Sequence, residues 1–136
     1  MKNKTSGWVF FANNDMISAK TLMEYAESTG AELTGEVAFL CQQAIEKYFK
    51  GYLAEQDKRI QKIHDLLALY SEVKSTHDWN LDSRVLAEIN KIYTIARYPG
   101  NIGMTPEGRL PTMEEAKSYL ECAKKVEAIF MELVGK

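Results

Sequence analysis

Proline is scarce in this chain of 136 residues, and all three prolines fall between Pro99 and Pro111. Long helices can therefore run uninterrupted over the rest of the chain. Cysteine is equally scarce. Cys41 and Cys122 sit on apolar stripes of two different predicted helices, so they read as buried thiols in a reducing compartment, not as a disulfide pair. With His64 and His77 as the only histidines, no metal-type spacing of cysteine and histidine exists, and no acidic cluster suits a divalent cation. No metal and no cofactor is expected. No stretch approaches the ~20 apolar residues of a membrane span, and Met1 to Gly7 holds no apolar run before a cleavage site. A cytoplasmic protein without a membrane partner is the expectation. A charge excess is lacking too: 17 basic residues stand against 19 acidic ones. A broad duplex-binding surface is thereby disfavoured, whereas a local cationic pocket for a nucleotide, an RNA end or an acidic loop stays open.

What is present is helical periodicity, in a length that fits one domain burying roughly 70% of its unfolded surface. From Trp8 to about Glu27, Trp8, Phe11, Ala12, Ala19, Leu22, Met23 and Ala26 recur at helical spacing. Asp15 falls on the same stripe. It belongs either to a polar site under the helix or, with Asn13 and Asn14, to a frayed turn in water. Ser28 to Gly35 ends this helix and caps the next. The second stretch, Glu36 to Leu53, organises the chain: Val37, Leu40, Cys41, Ala44, Ile45, Tyr48, Tyr52 and Leu53 fill a wide apolar arc. Glu36, Gln43, Glu46, Lys47 and Lys50 fill its polar edge. Phe39 projects among the polar residues and implies a second burying surface, and with Tyr52 and Leu53 it points to a dimer interface.

Ile63, Leu66, Leu67, Leu69, Tyr70 and Val73 outline a short helix opened by His64 and Asp65, where Asp65 suits a cap. His64 reads either as a structural ring at a helix start or as a phosphate donor or proton shuttle. Ser75 to Asn80 is a polar connection containing His77 and Trp79. From Leu81 a helix places Val85, Leu86, Ile89, Ile92, Tyr93 and Ala96 on one face and stops before Pro99. Arg97 lies on the shoulder of that face, where a guanidinium is tethered to a carboxylate or an anion. Pro99 to Thr112 is a long loop of the kind that often binds. Thr112 and Glu115 have capping-box spacing, and Ala116, Leu120, Ala123, Val126, Phe130 and Leu133 stripe the last helix. No repeat, low-complexity tract or credible strand is evident. The expected fold is all-α, an antiparallel up-and-down bundle of four long helices plus a short one over residues 1–136.

With Asp15, the run Phe39, Gln42-Gln43-Ala44, Glu46-Lys47 and Lys50, then His64-Asp65-Leu66, Arg97-Tyr98-Pro99, Ala116 and Ala123, the sequence resembles the HEPN family over nearly its whole length. The resemblance implies a four- or five-helix bundle that usually dimerises and is often encoded beside a minimal nucleotidyltransferase. Some members look like toxins or antitoxin partners, and one branch cleaves RNA without metal through an Arg, four to six residues, then His on a late helix. After Arg97 the histidine positions hold Ile102, Gly103 and Met104, so that pair is missing. Arg59 and His64 meet the spacing across the connection into the short helix, where the match reads as accidental.

The resemblance further suggests that Arg97 and His64-Asp65 approach Gln43, Lys47 and Lys50. With Asp15 and Tyr98, these residues form the expected ligand set: Arg97 for phosphate, lysines as point charges, Gln43 for a base edge and Tyr98 for stacking. No nucleophile has an adjacent general base, so no catalytic residue is assigned. Three readings stand: a nucleotide-binding or nucleotidyltransferase-partner homodimer, possible in a toxin-antitoxin type module; a ribonuclease with a degenerate motif; and a structural interaction module. In the last, Asp15, Glu46, Lys47, His64 and Arg97 would only fix helix register.

Overall fold

The computed structural model describes residues 1–96 and 103–135, without the side chains of 93–96. Among them are five helices and no strand: α1 (Asn3–Thr29), α2 (Thr34–Glu55), α3 (Leu66–Val73), α4 (Ser83–Ala96) and α5 (Met113–Val134). The expected all-α bundle of four long helices and a short one is what the chain forms.

α1 buries Thr5, Val9, Ala12, Met16, Ala19, Met23 and Ala26. These alternate at four and three, the seam spacing of two nearly antiparallel helices, and alanine at every seventh residue lets the α2 backbone approach closely. This stripe differs from the expected one. Phe11 is 58% exposed, because the small residues and methionines, not the aromatics, face α2. Asn13, Asn14 and Asp15 lie inside the helix, which removes the frayed-turn reading. Gly30 ends α1 at φ 76°, with its N–H on the Ala26 carbonyl at 2.8 Å, a left-handed cap that glycine adopts without strain.

α2 packs against all four other helices and is buried on nearly every side. Its aromatic residues build the centre: Tyr48 meets Phe130, Phe49 stacks on Tyr70, and Phe49 and Tyr52 both meet Trp79 edge-on. Tyr52 and Leu53 are thus covered by their own bundle and do not extend to a dimer interface as expected. Tyr52 also shares a 2.8 Å hydrogen bond with Thr76. Trp79, placed by sequence in a polar connection, is fully buried. Phe39 is half-buried. On α5, Val134 is buried and Leu133 exposed, the reverse of the expected end of that stripe.

Caps define the helix starts. Asp65 accepts from the Leu67 and Ala68 amides, and Asp82 from those of Arg84 and Val85. α2 has no side-chain cap, contrary to expectation: its preceding residue is Leu33, and the Thr34 hydroxyl donates to the Pro111 carbonyl at 2.7 Å. Beside this tether, Gly103 (φ 78°) lies against Gly35 so closely that a Cβ there would stand 2.1 Å from the Gly35 oxygen. The later part of the loop therefore rests on the start of the central helix. Both thiols are free; Cys41 is buried, with its pKa pushed up to about 12 by burial, and Cys122 is half-buried.

The capping box at Thr112 and Glu115 forms as expected. Arg109 donates to Glu115, and with the Thr112 amide it holds this carboxyl down at about 2 from an ordinary 4.5. A carboxyl lowered on folding stabilises fully above its unfolded pKa and ceases to as pH falls through the folded value. Glu115→Ala should cost about 1 kcal/mol at neutral pH by thermal denaturation. The gap from the parent should narrow as pH falls below 4.5 toward about 2.

Candidate functional site

Gln42, Glu46 and Lys50 stand four residues apart and so form one line along α2. All three are buried. Gln42 Nε2 donates to Glu46 Oε1 at 3.2 Å, and Lys50 Nζ donates to Glu46 Oε2 at 3.0 Å. His64, entering from the segment before α3, brings Nδ1 to 3.1 Å from both Glu46 oxygens, while half of its side chain stays exposed. The Gln42 amide also reaches the His64 carbonyl at 3.4 Å. Glu46 is thus a buried hub joining the middle of α2 to the start of α3. Its ion pair with Lys50 has side chains only 7% and 6% exposed, so each charge depends on the other.

A second row flanks the first. Gln43 Nε2 donates to Gln42 Oε1 at 2.6 Å, and Lys47 donates to Asp15 Oδ2 of α1 at 2.6 Å. The carboxylate on the α1 stripe therefore meets a cation. Deeper along the α1 and α5 side, Tyr48 donates to Asn13 at 2.6 Å and to Glu127 at 3.2 Å, and Lys20 pairs with Glu127. Burial, then the Glu127 charge, pushes the Tyr48 ionisation upward and keeps its phenol a donor.

The structure brings together Asp15 with Lys47, and Gln43 with Lys50 and His64 through Gln42 and Glu46. Asp65 belongs to a different contact: besides capping α3, its Oδ1 accepts from Asn90 at 3.1 Å, and Asn90 Oδ1 takes the Leu66 amide at 2.9 Å. Arg97 and Tyr98 lie outside the described residues. Sequence reading leaves Glu46, Gln42 and Asn90 out of the ligand set. The four-residue spacing of amide, carboxylate and ammonium was the available sign for the first two; Asn90 had none.

A groove of about 520 Å³ opens beside this network, lined by Lys4, Trp8, Asp57, Lys58 and Arg59 among others. Trp8 joins the two features, since Lys50 Nζ lies 5.6 Å from its ring centroid, within cation–π range. Asp57 is engaged by Lys2 at 2.5 Å. Lys4, Lys58 and Arg59 form no ion pair within 4.0 Å among the described residues. Lys4 also acts on Asp57 electrostatically, and an aromatic face beside several cations can hold a stacked base and its phosphate.

A helical bundle with a buried charged row on its central helix and a cationic groove beside it makes up this small all-α domain. The family model of the HEPN domain matches residues 5–133, and the chain belongs to the HEPN family. Its fold is similar to that in the crystal structure of an archaeal HEPN homologue, with a TM-score of 0.65, 23% identity and 98% of each chain covered. At that identity the likeness concerns the fold alone. No curated protein matches this chain significantly. No described helix is long and apolar enough to cross a membrane.

Removing one member of the buried pair should show its role. Glu46→Leu should cost about 3–5 kcal/mol in urea denaturation by stranding the Lys50 ammonium. Adding Lys50→Met should recover most of that loss; a further loss in the double variant would contradict the coupling.

Proposed function

We propose that the protein is a nucleotide-binding HEPN subunit that acts as a homodimer and as the partner of a minimal nucleotidyltransferase, in a toxin-antitoxin type module. The groove at Trp8 carries this reading. Lys47 and Lys50, expected as point charges for phosphate, are engaged by Asp15 and Glu46, so they hold the wall in place while Lys4, Lys58 and Arg59 face the ligand. Trp8 supplies a stacking surface, and His64 is held against Glu46 in the adjoining network. Arg97 and Tyr98 stay in the proposal on their chemistry alone, a bidentate anion fork and a stacking ring. The partner assignment rests on the family resemblance.

Calorimetric titration with nucleoside phosphates at low salt should detect binding that weakens about tenfold in Trp8→Ala, equivalent to ~1.4 kcal/mol. Lys58→Ala, a surface change, should weaken it without altering the melting temperature. No heat with any nucleoside phosphate would contradict the reading.

A ribonuclease reading is favoured by one observation: Glu46 fixes Nδ1 of a half-exposed His64, the arrangement that orients an imidazole for proton transfer. Arg59 precedes it with four residues between. On this reading purified protein cleaves RNA without added metal, and His64→Ala abolishes the cleavage. Inactivity on varied single-stranded and structured RNAs would remove it.

A further inference from the structure

The connection from α2 to α3 is tied down at both ends and in the middle, yet its own main chain is left open. Lys58 closes α2, its N–H on the Leu53 carbonyl at 2.9 Å, and Ile60 and Ile63 then pack half-buried against the core. Beyond them Glu46 holds the His64 ring, and Asn90 takes the Leu66 amide at 2.9 Å. Among the described residues, no hydrogen bond reaches the main-chain groups or side chains of residues 59–63. Lys58, Arg59, Gln61 and Lys62 are exposed. None of these three cations enters an ion pair within 4.0 Å among the described residues. The adjacent carboxylate, Asp57, is engaged by Lys2.

We propose that an acidic peptide segment of a partner protein docks along residues 58–63. Its main chain pairs with theirs, and its carboxylates meet Lys58, Arg59 and Lys62. The proposal goes beyond the nucleotide reading and does not depend on it. Three observations select the occupant. First, three outward cations without an internal counter-ion call for an anion, in a chain that otherwise carries 17 basic against 19 acidic residues. Second, the open main chain calls for a peptide. Each of residues 59–63 offers one N–H and one C=O, and an added extended chain satisfies both kinds. A nucleic-acid strand meets only the N–H groups, while its phosphates are repelled by the carbonyl oxygens.

Third, bases have nothing to stack on along this segment. No Phe, Tyr or Trp occurs between Asp57 and Leu69, whereas single-strand binding relies on aromatic platforms. Trp8 serves the groove, which takes in Lys58, Arg59 and Ile60 but not Lys62. Peptide and nucleotide therefore share Lys58 and Arg59, and Lys62 belongs to the peptide alone. The anchors at Ile60, Ile63 and His64 also hold the segment before any partner arrives, which lowers the ordering cost of docking.

The test is fluorescence anisotropy at low salt with a fluorescein-labelled ten-residue peptide alternating glutamate and threonine. Binding is expected, and Lys62→Glu should weaken it about tenfold while leaving the melting temperature and nucleoside phosphate binding unchanged. The same peptide with alternate amides N-methylated keeps every charge and should bind about tenfold more weakly. A ten-nucleotide oligouridylate should also bind more weakly than the parent peptide. Equal binding of the methylated peptide, tighter binding of the oligouridylate, or no binding of the parent peptide would each overturn the proposal. A chain that binds the peptide but no nucleoside phosphate keeps this proposal and loses the nucleotide reading; the reverse result does the opposite.

Discussion

The ion pair of Glu46 and Lys50, buried on the most enclosed helix of the bundle, constrains everything packed along that edge. Neither charge can stay there alone, because the penalty for stranding one exceeds what a surface pair could supply. Gln42 and His64 complete the carboxylate's hydrogen bonding, and His64 thereby fixes the start of α3 against α2. On its other side Lys50 reaches the Trp8 ring and so ties the beginning of α1 to the same centre. One carboxylate thus joins α2 to the start of α3 and, through Lys50, touches the start of α1 beside the groove at Trp8.

The polar rows and the groove divide the labour that sequence reading assigned to one pocket. Lysines on α2 are engaged internally, which makes them parts of a rigid wall. The cations without such engagement come from the start of α1 and the connection after α2, at Lys4, Lys58 and Arg59. On the proposed reading, affinity for phosphate belongs to these residues and orientation belongs to the buried network.

Local features were legible in the sequence, and non-local ones were not. The capping box at Thr112 and Glu115 and the cap at Asp65 depend on residues two or three positions apart, so spacing alone reveals them. The helix count followed from periodicity and from prolines confined to one loop. On α1 the stripe was right at Ala12, Ala19, Met23 and Ala26 and wrong at its start, where the large hydrophobic Trp8 and Phe11 stood in for Thr5, Val9 and Met16, which with the alanines admit a close neighbour. Trp79 was hidden by its polar flanks, since only the fold brings Phe49 and Tyr52 to it. Asp15 announced a partner by its position on an apolar stripe, but Lys47 lies thirty-two residues away. Glu46 looked like part of a solvated edge because burial of the whole of α2 is a property of four other helices.

The most direct test is an amide and indole correlation spectrum of the labelled protein recorded during addition of adenosine monophosphate. Saturable shifts are expected at the Trp8 indole N–H and at the amides of Lys58 and Arg59, with the exposed side of α5 unmoved. Shifts centred away from Trp8, or none at saturating nucleotide, would contradict the account.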